Sequence, residues 1–319
     1  LREGRLLRAM GLDTAGRIRM AVALLSEAKN SAVFAQGLFC IGRSQNTLEW
    51  SRSTKGGSVL FSVVAIIVGL FAALVAAIYW YQEILIFHPV PLSADYVFDQ
   101  PDVAELEIAT GGAMLSALHL RLPDPKGIVF YLHGNAGNLR DWFADTSVYR
   151  QSNFDLFMLD YRGYGKSTGH IRSEAQLRAD VAAAWQRIAP LYEGRRKVIM
   201  GRSLGTALAA RLAAEVRPDL TILVSPYWSM TELSRMHFPL WPSAFVRYRL
   251  ETFRDLARID GPVLLVHGGR DALIPFAHSV RLQPLARLAQ LVGIAAAEHS
   301  DVEDFAEYRR AIAEHLAKL

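Results

Sequence analysis

Between Val59 and Gln82 the chain runs through twenty-four residues without a charge, VLFSVVAIIVGLFAALVAAIYWYQ. At about 1.5 Å per residue a helix of this length spans roughly 36 Å, enough to cross a hydrocarbon layer of about 30 Å. A buried core helix is the plainer alternative, but such helices rarely run so far without a polar face. A cleaved signal peptide has a shorter apolar core and a small-residue cleavage pattern behind it, and neither is present. The run closes on Tyr79, Trp80 and Tyr81, rings suited to headgroup depth. Residues 58–82 are therefore read as a single-pass signal-anchor.

Charge gives the anchor a direction. Residues 1–57 hold nine Lys/Arg against four Asp/Glu, more than the whole net charge of +4, with Arg52 and Lys55 directly before the span. By the positive-inside rule the N-terminus is cytoplasmic and the large domain lies on the extracytoplasmic side. The pI of 9.2 thus belongs to the flank. It gives no reason to expect a nucleic-acid partner. Residues 1–57 show no sustained period, and two readings stand for them: a disordered cytoplasmic tail, or upstream sequence that is not translated, with Met10 and Met20 as internal starts. The single cysteine, Cys40, lies in this tail, so no disulfide can form inside the main domain.

After the span a Pro-punctuated linker, residues 83–103, leads into a domain read over residues 104–319. ELEIATGGAMLSALHLRLP reads as a hairpin turning at Gly111-Gly112. From there β-rich runs alternate with helical ones. GIVFYL is followed by a helix near Leu139 to Arg150, FDLFMLD by one from about Ser173 to Ile188, and KVIMG by one from Leu204 to Val216. LTILVS, PVLLVHG and AQLVGIA complete the strands. The pattern predicts an α/β fold: a mostly parallel sheet with an antiparallel N-terminal edge and helices on both faces. An insertion at about residues 226–252 breaks the rhythm. Its Tyr227, Trp228, Met236, Phe238 and Trp241 suit an apolar substrate wall, and equally suit packing of the insertion onto the body.

Gly201-Arg202-Ser203-Leu204-Gly205 has the form G-x-S-x-G and stands between a β-rich run and an Ala-rich helical one. In that setting the glycines permit a tight turn that exposes the serine hydroxyl at a helix N-terminus. Without that setting, Ser203 would be only a helix cap. A serine nucleophile needs a base and an orienting acid, which follow it in the order acid, then histidine. Asp271 lies on the loop after PVLLVHG and His299 on the loop after AQLVGIA. His237, His267, His278 and His315 all have structural readings, and Asp255 and Asp260 are the lesser alternatives for the acid. Two backbone N–H groups are expected to face the oxyanion, those of Leu204 and of Asn135 in HGNAGN. Neither a zinc-spaced His/Cys cluster nor a phosphate-cradling loop is present, so no metal and no cofactor is expected.

HGNAGN, DYRGYGKSTG, GRSLGTALAA, HGGRDALIP and EHSD, in that order, resemble the α/β-hydrolase superfamily. Within it the resemblance is to membrane-anchored α/β-hydrolase-domain proteins related to serine aminopeptidase-like hydrolases, and it covers roughly residues 86–319. It implies the α/β-hydrolase fold and serine catalysis, favours Asp271 and His299 over their rivals, and makes Asp160, Arg162 and Tyr164 structural. One local departure is AAAE before His299, where relatives often carry a glycine-bearing turn. The expected function is hydrolysis of an ester or thioester of a small, lipidic or acylated substrate at a membrane bilayer. A serine aminopeptidase-like peptidase is the near alternative, and a non-catalytic membrane scaffold that keeps the fold is the alternative from another class.

Overall fold

The computed structural model describes residues 54–319, Leu240 excepted. The tail read over residues 1–57, with Cys40, lies outside the described residues apart from its last four, which open the first helix. Two compact units divide between Leu70 and Phe71. Helix α1 (Thr54–Trp80) passes through that division, and the short α2 (Gln82–Ile86) follows it. Residues Ser58–Trp80 are long and apolar enough to cross a membrane. Their large side chains, Phe61, Ile66 and Leu74 among them, are exposed.

The second unit continues with β1 (His88–Pro89), β2 (Val103–Thr110), β3 (Ala113–Leu120), β4 (Gly127–Leu132) and β5 (Ala136–Gly137). Helices α3 (Leu139–Trp142) and α4 (Ser147–Ser152) lead to β6 (Phe154–Leu159), α5 (Glu174–Ile188), β7 (Arg196–Arg202) and α6 (Leu204–Val216). Next come β8 (Leu220–Val224), α7 (Met230–His237), α8 (Thr252–Leu256), β9 (Val263–Gly268), α9 (Ala277–Leu282), β10 (Ala289–Ile294) and α10 (Ala306–Ala317).

Eight strands form one sheet in the order β10-β9-β8-β7-β4-β6-β3-β2. All neighbours from β10 to β6 run parallel, and β3 joins β6 antiparallel as the inner arm of the hairpin with β2. Gly112, at φ 81°, supplies the left-handed residue that the hairpin turn needs. The antiparallel edge, the parallel centre and the helices on both faces are as the sequence pattern predicts.

The two faces carry separate cores, because the side chains of a strand alternate. Ile128, Phe130 and Leu132 of β4 pack into one cluster while Val129 and Tyr131 pack into the other. Each such fully buried side chain contributes about 1.5–3 kcal/mol over its exposed state. Helix α5 is capped by Ser173, whose hydroxyl accepts from the Gln176 N–H at 3.1 Å. The stretch read as one helix from Leu139 to Arg150 is two. Asp145 interrupts it by accepting the Ser147 N–H at 2.9 Å, which starts a new helix.

The loops after β4, β7, β8, β9 and β10 all leave the C-terminal edge of the parallel strands. In open α/β sheets that edge is where ligands bind.

Candidate active site

Strand β7 ends at Arg202, and α6 begins at Leu204, so Ser203 must reverse the chain in a single residue. It does so at φ 50°, ψ −116°, a conformation that costs a non-glycine residue about 1–3 kcal/mol. The flanking glycines admit the approach of α6. A Cβ at Gly201 would lie 2.4 Å from the Gly205 carbonyl oxygen, and one at Gly205 would lie 2.0 Å from that of Leu132. The Ser203 N–H donates to Val224 O at 2.9 Å, tying the turn to the neighbouring strand.

Asp271 and His299 arrive from the loops after β9 and β10. His299 Nε2 lies 3.0 Å from Ser203 Oγ, and His299 Nδ1 lies 2.7 Å from Asp271 Oδ2. An Nδ1–H donated to the carboxylate leaves Nε2 bare to accept the serine proton. Asp271 Oδ1 accepts the N–H groups of Leu273 at 3.0 Å and Ile274 at 2.7 Å. Burial alone would raise Asp271, but hydrogen bonding by His267 and His299, and that from Ile274, outweigh it and hold the carboxyl well below the usual carboxylate range. Burial lowers His299, and the nearby Arg202 charge lowers it further against the pull of Asp271. The imidazole is thus neutral, the form a base requires. Asp255 instead sits among Arg178, Arg211 and Arg258.

The loop after β4 lies against the nucleophile: a Cβ on Gly134 would sit 3.8 Å from Ser203 Cβ. Asn135 is held by its other groups. Its carbonyl accepts from His88 N at 2.8 Å and from Tyr164 Oη at 2.6 Å, and its Nδ2 donates to Ile86 O at 3.1 Å. None of these uses its backbone N–H. Leu204 is the first residue of α6, where an N–H has no partner within the helix. Tyr161 Oη donates to His133 O at 2.9 Å, and Arg162 pairs with Asp180 at 2.6 Å behind it. The DYRGYG segment therefore shapes the loop from behind.

The aromatic candidates of the insertion separate. Tyr227, 1% exposed, lies in the core, with its hydroxyl 3.4 Å from the Leu204 carbonyl oxygen. Trp228 stacks on Phe253 at 4.8 Å under the Arg281 guanidinium. Phe238 and Trp241 are half-buried, and Met236 is exposed. Two surface hollows, of about 220 Å³ beside Leu208 and Arg211 and about 200 Å³ beside Gly112 and Arg162, include neither Ser203 nor His299.

Arg202 escapes a reading by sequence. It is 3% exposed, donates through Nη2 to the carbonyl of His299, and has its Nε 3.4 Å from Glu303 Oε1. Glu303 also accepts from Tyr131 Oη at 2.9 Å. This network holds the loop that carries His299. Arg202 precedes His299 by 97 positions, and no local pattern announces the contact.

A family model described as serine aminopeptidase, S33, matches residues 123–250. Alpha/beta hydrolase domain-containing protein 17B of Xenopus laevis is 30% identical over 202 residues, covering 61% of this chain and 68% of that protein. The chain belongs to the α/β-hydrolase superfamily. The human 17B protein is 31% identical over 192 residues, 58% of this α/β-hydrolase and 65% of that protein, so the chain spans about two thirds of these relatives. Among solved structures, a Pyrococcus furiosus esterase, Pf2001, aligns at a TM-score of 0.57 and 18% identity over 73% of this chain and 97% of its own. Est1E from Butyrivibrio proteoclasticus aligns at 0.56 and 19% over 67% and 98%. These two likenesses are of fold. The family match and the relatives make this α/β-hydrolase a hydrolase by family.

Proposed function

We propose that this protein is a membrane-anchored serine hydrolase that cleaves carboxylic ester or thioester bonds through an acyl-enzyme. The observation that carries the reading is the continuous Ser203–His299–Asp271 relay, with contacts of 3.0 and 2.7 Å. Ser203 Oγ attacks the carbonyl carbon as its proton passes to His299 Nε2, and Asp271 stabilises the imidazolium. The backbone N–H groups of Asn135 and Leu204 receive the oxyanion. His299 then gives its proton to the departing alkoxide or thiolate. Water, deprotonated by the same nitrogen, attacks the acyl carbonyl and releases the acid and Ser203. The anchor is α1, with the N-terminus cytoplasmic and the catalytic domain on the other side.

The peptidase reading draws on the name of the matched family model. A panel of p-nitrophenyl esters and acyl thioesters of increasing chain length, set beside an amino-acid p-nitroanilide, separates the readings. Turnover of esters or thioesters, abolished by Ser203→Ala, is expected. Turnover of the anilide alone favours the peptidase. No turnover of any substrate leaves the scaffold reading.

A further inference from the structure

The segment that joins the span to the domain is a working part of it. On one side, Gln82, 5% exposed, donates through Nε2 to Phe245 O at 2.7 Å and accepts the Arg247 N–H at 2.9 Å. Glu83 takes the Arg247 guanidinium at 2.9 Å and the Tyr248 hydroxyl at 2.7 Å. Tyr79 meets the Phe245 ring edge-on at 6.2 Å. This side holds the insertion. On the other side, β1 pairs with β5 inside the HGNAGN loop, the Asn135 side chain bonds to Ile86 O, and Asn138 Nδ2 bonds to Val90 O at 2.9 Å. The insertion in turn reaches the loop of the catalytic acid, His237 Nε2 donating to Leu273 O at 3.0 Å.

Residues 79–92 thus tie together the insertion and the loop after β4, both of which leave the sheet at the end that carries Ser203. Yet the strap and its partners expose large apolar side chains: Trp80 at 69%, Ile84 at 65%, Leu85 at 52% and Phe245 at 44%. Around α2, Gln82 and Glu83 turn toward the domain while Trp80, Ile84 and Leu85 turn outward, the reverse of a helix meant for water, and the buried Phe87 anchors the strap in the core. These residues begin at the end of the apolar span. At about 1.5 Å per residue, α2 lies within roughly 10 Å of that end, a distance comparable to the thickness of the headgroup layer. Aromatic and aliphatic side chains are favourable there.

We propose that the strap, together with the insertion it holds, is a membrane-docking face that keeps the mouth of the Ser203 site in the headgroup layer, where it takes bilayer-resident amphiphiles by their acyl group. The docking face stands on the contacts above, and the substrate class rests on the hydrolase reading.

The test uses the full chain in lipid nanodiscs, on a Cys40→Ser background. A bimane label on Phe245→Cys or on Leu85→Cys is expected to be quenched by lipids brominated high on the acyl chain. The same label on Glu193→Cys, in the loop before β7 at the far end of the sheet, is not. Equal quenching at all three sites, or at none, overturns the docking face whether or not the protein hydrolyses anything. A flexible Gly/Ser spacer of about twelve residues placed between Trp80 and Tyr81 is expected to lower kcat/KM by at least about tenfold for a long-chain ester carried in the nanodisc, through lost effective concentration. It leaves a soluble short-chain ester within about twofold. Equal effects on both esters, or none on either, overturn the substrate class. A wild type that turns over neither ester refutes the hydrolase reading instead.

Discussion

Gly205→Ala tests the packing that makes the Ser203 turn possible. A Cβ at this position would lie 2.0 Å from Leu132 O and 2.7 Å from His133 O. Ordinary carbon contacts begin at about 3.5 Å, so α6 or the end of β4 must give way by more than about 1 Å. Both obstacles are backbone, so no side-chain rotation relieves them. Overpacking of this kind costs about 1–3 kcal/mol, and the rigidity here points to the upper end. A domain of this size loses roughly 2–4 °C of Tm per kcal/mol, so a fall of roughly 6–12 °C is expected by scanning fluorimetry. The displaced carbonyls end β4 and open the loop that carries Asn135. A misplacement of about 1 Å is worth about a hundredfold in turnover, to be read with a soluble short-chain ester. A Gly205→Ala protein with wild-type Tm and wild-type turnover would refute the close approach of α6 and the loop after β4.

Other substitutions test the remaining contacts. The acid limb of kcat/KM is expected below the ordinary histidine value of about 6.5, because burial and Arg202 lower His299. Activity needs the neutral ring and is lost as pH falls through its pKa, so Arg202→Met moves the limb to higher pH; an unmoved limb contradicts the contact. Ser203→Gly relieves the turn at φ 50° and is expected to be about 1 kcal/mol more stable than Ser203→Ala in denaturant unfolding, whereas equal stabilities would mean the turn is unstrained. Asp180→Ala strands the buried Arg162 at a cost of about 3–5 kcal/mol, much of it recovered by adding Arg162→Met. A single variant with wild-type stability would show the pair to be idle.

The parts of the fold that the sequence made legible are those with a strong local signal. GIVFYL and PVLLVHG are short β-rich runs bounded by turns, and the GRSLG turn announces both the strand before it and the helix after it. The order in which Ser203, Asp271 and His299 occur, each on a loop beyond a strand, led to three residues that the structure brings within hydrogen-bonding distance. Local signals fail where tertiary contacts decide. Asp145 and Ser147 split a stretch of otherwise helical composition. Strand β1 is two residues long and exists only because β5 lies beside it. Arg202 owes its role to His299 and Glu303, which no nearby sequence pattern announces. The aromatic character of the insertion suggested a wall without showing that Tyr227 points into the core.

A fluorophosphonate reads the reactivity of Ser203 itself. The probe forms a bond to the hydroxyl only where a base and oxyanion donors are in place. After labelling, digestion and mass mapping, a single adduct is expected, on the peptide that holds Ser203. It is absent from Ser203→Ala and slowed by at least about a hundredfold in His299→Ala. An adduct elsewhere, no adduct on the wild type, or equal labelling of Ser203→Ala would contradict that reactivity.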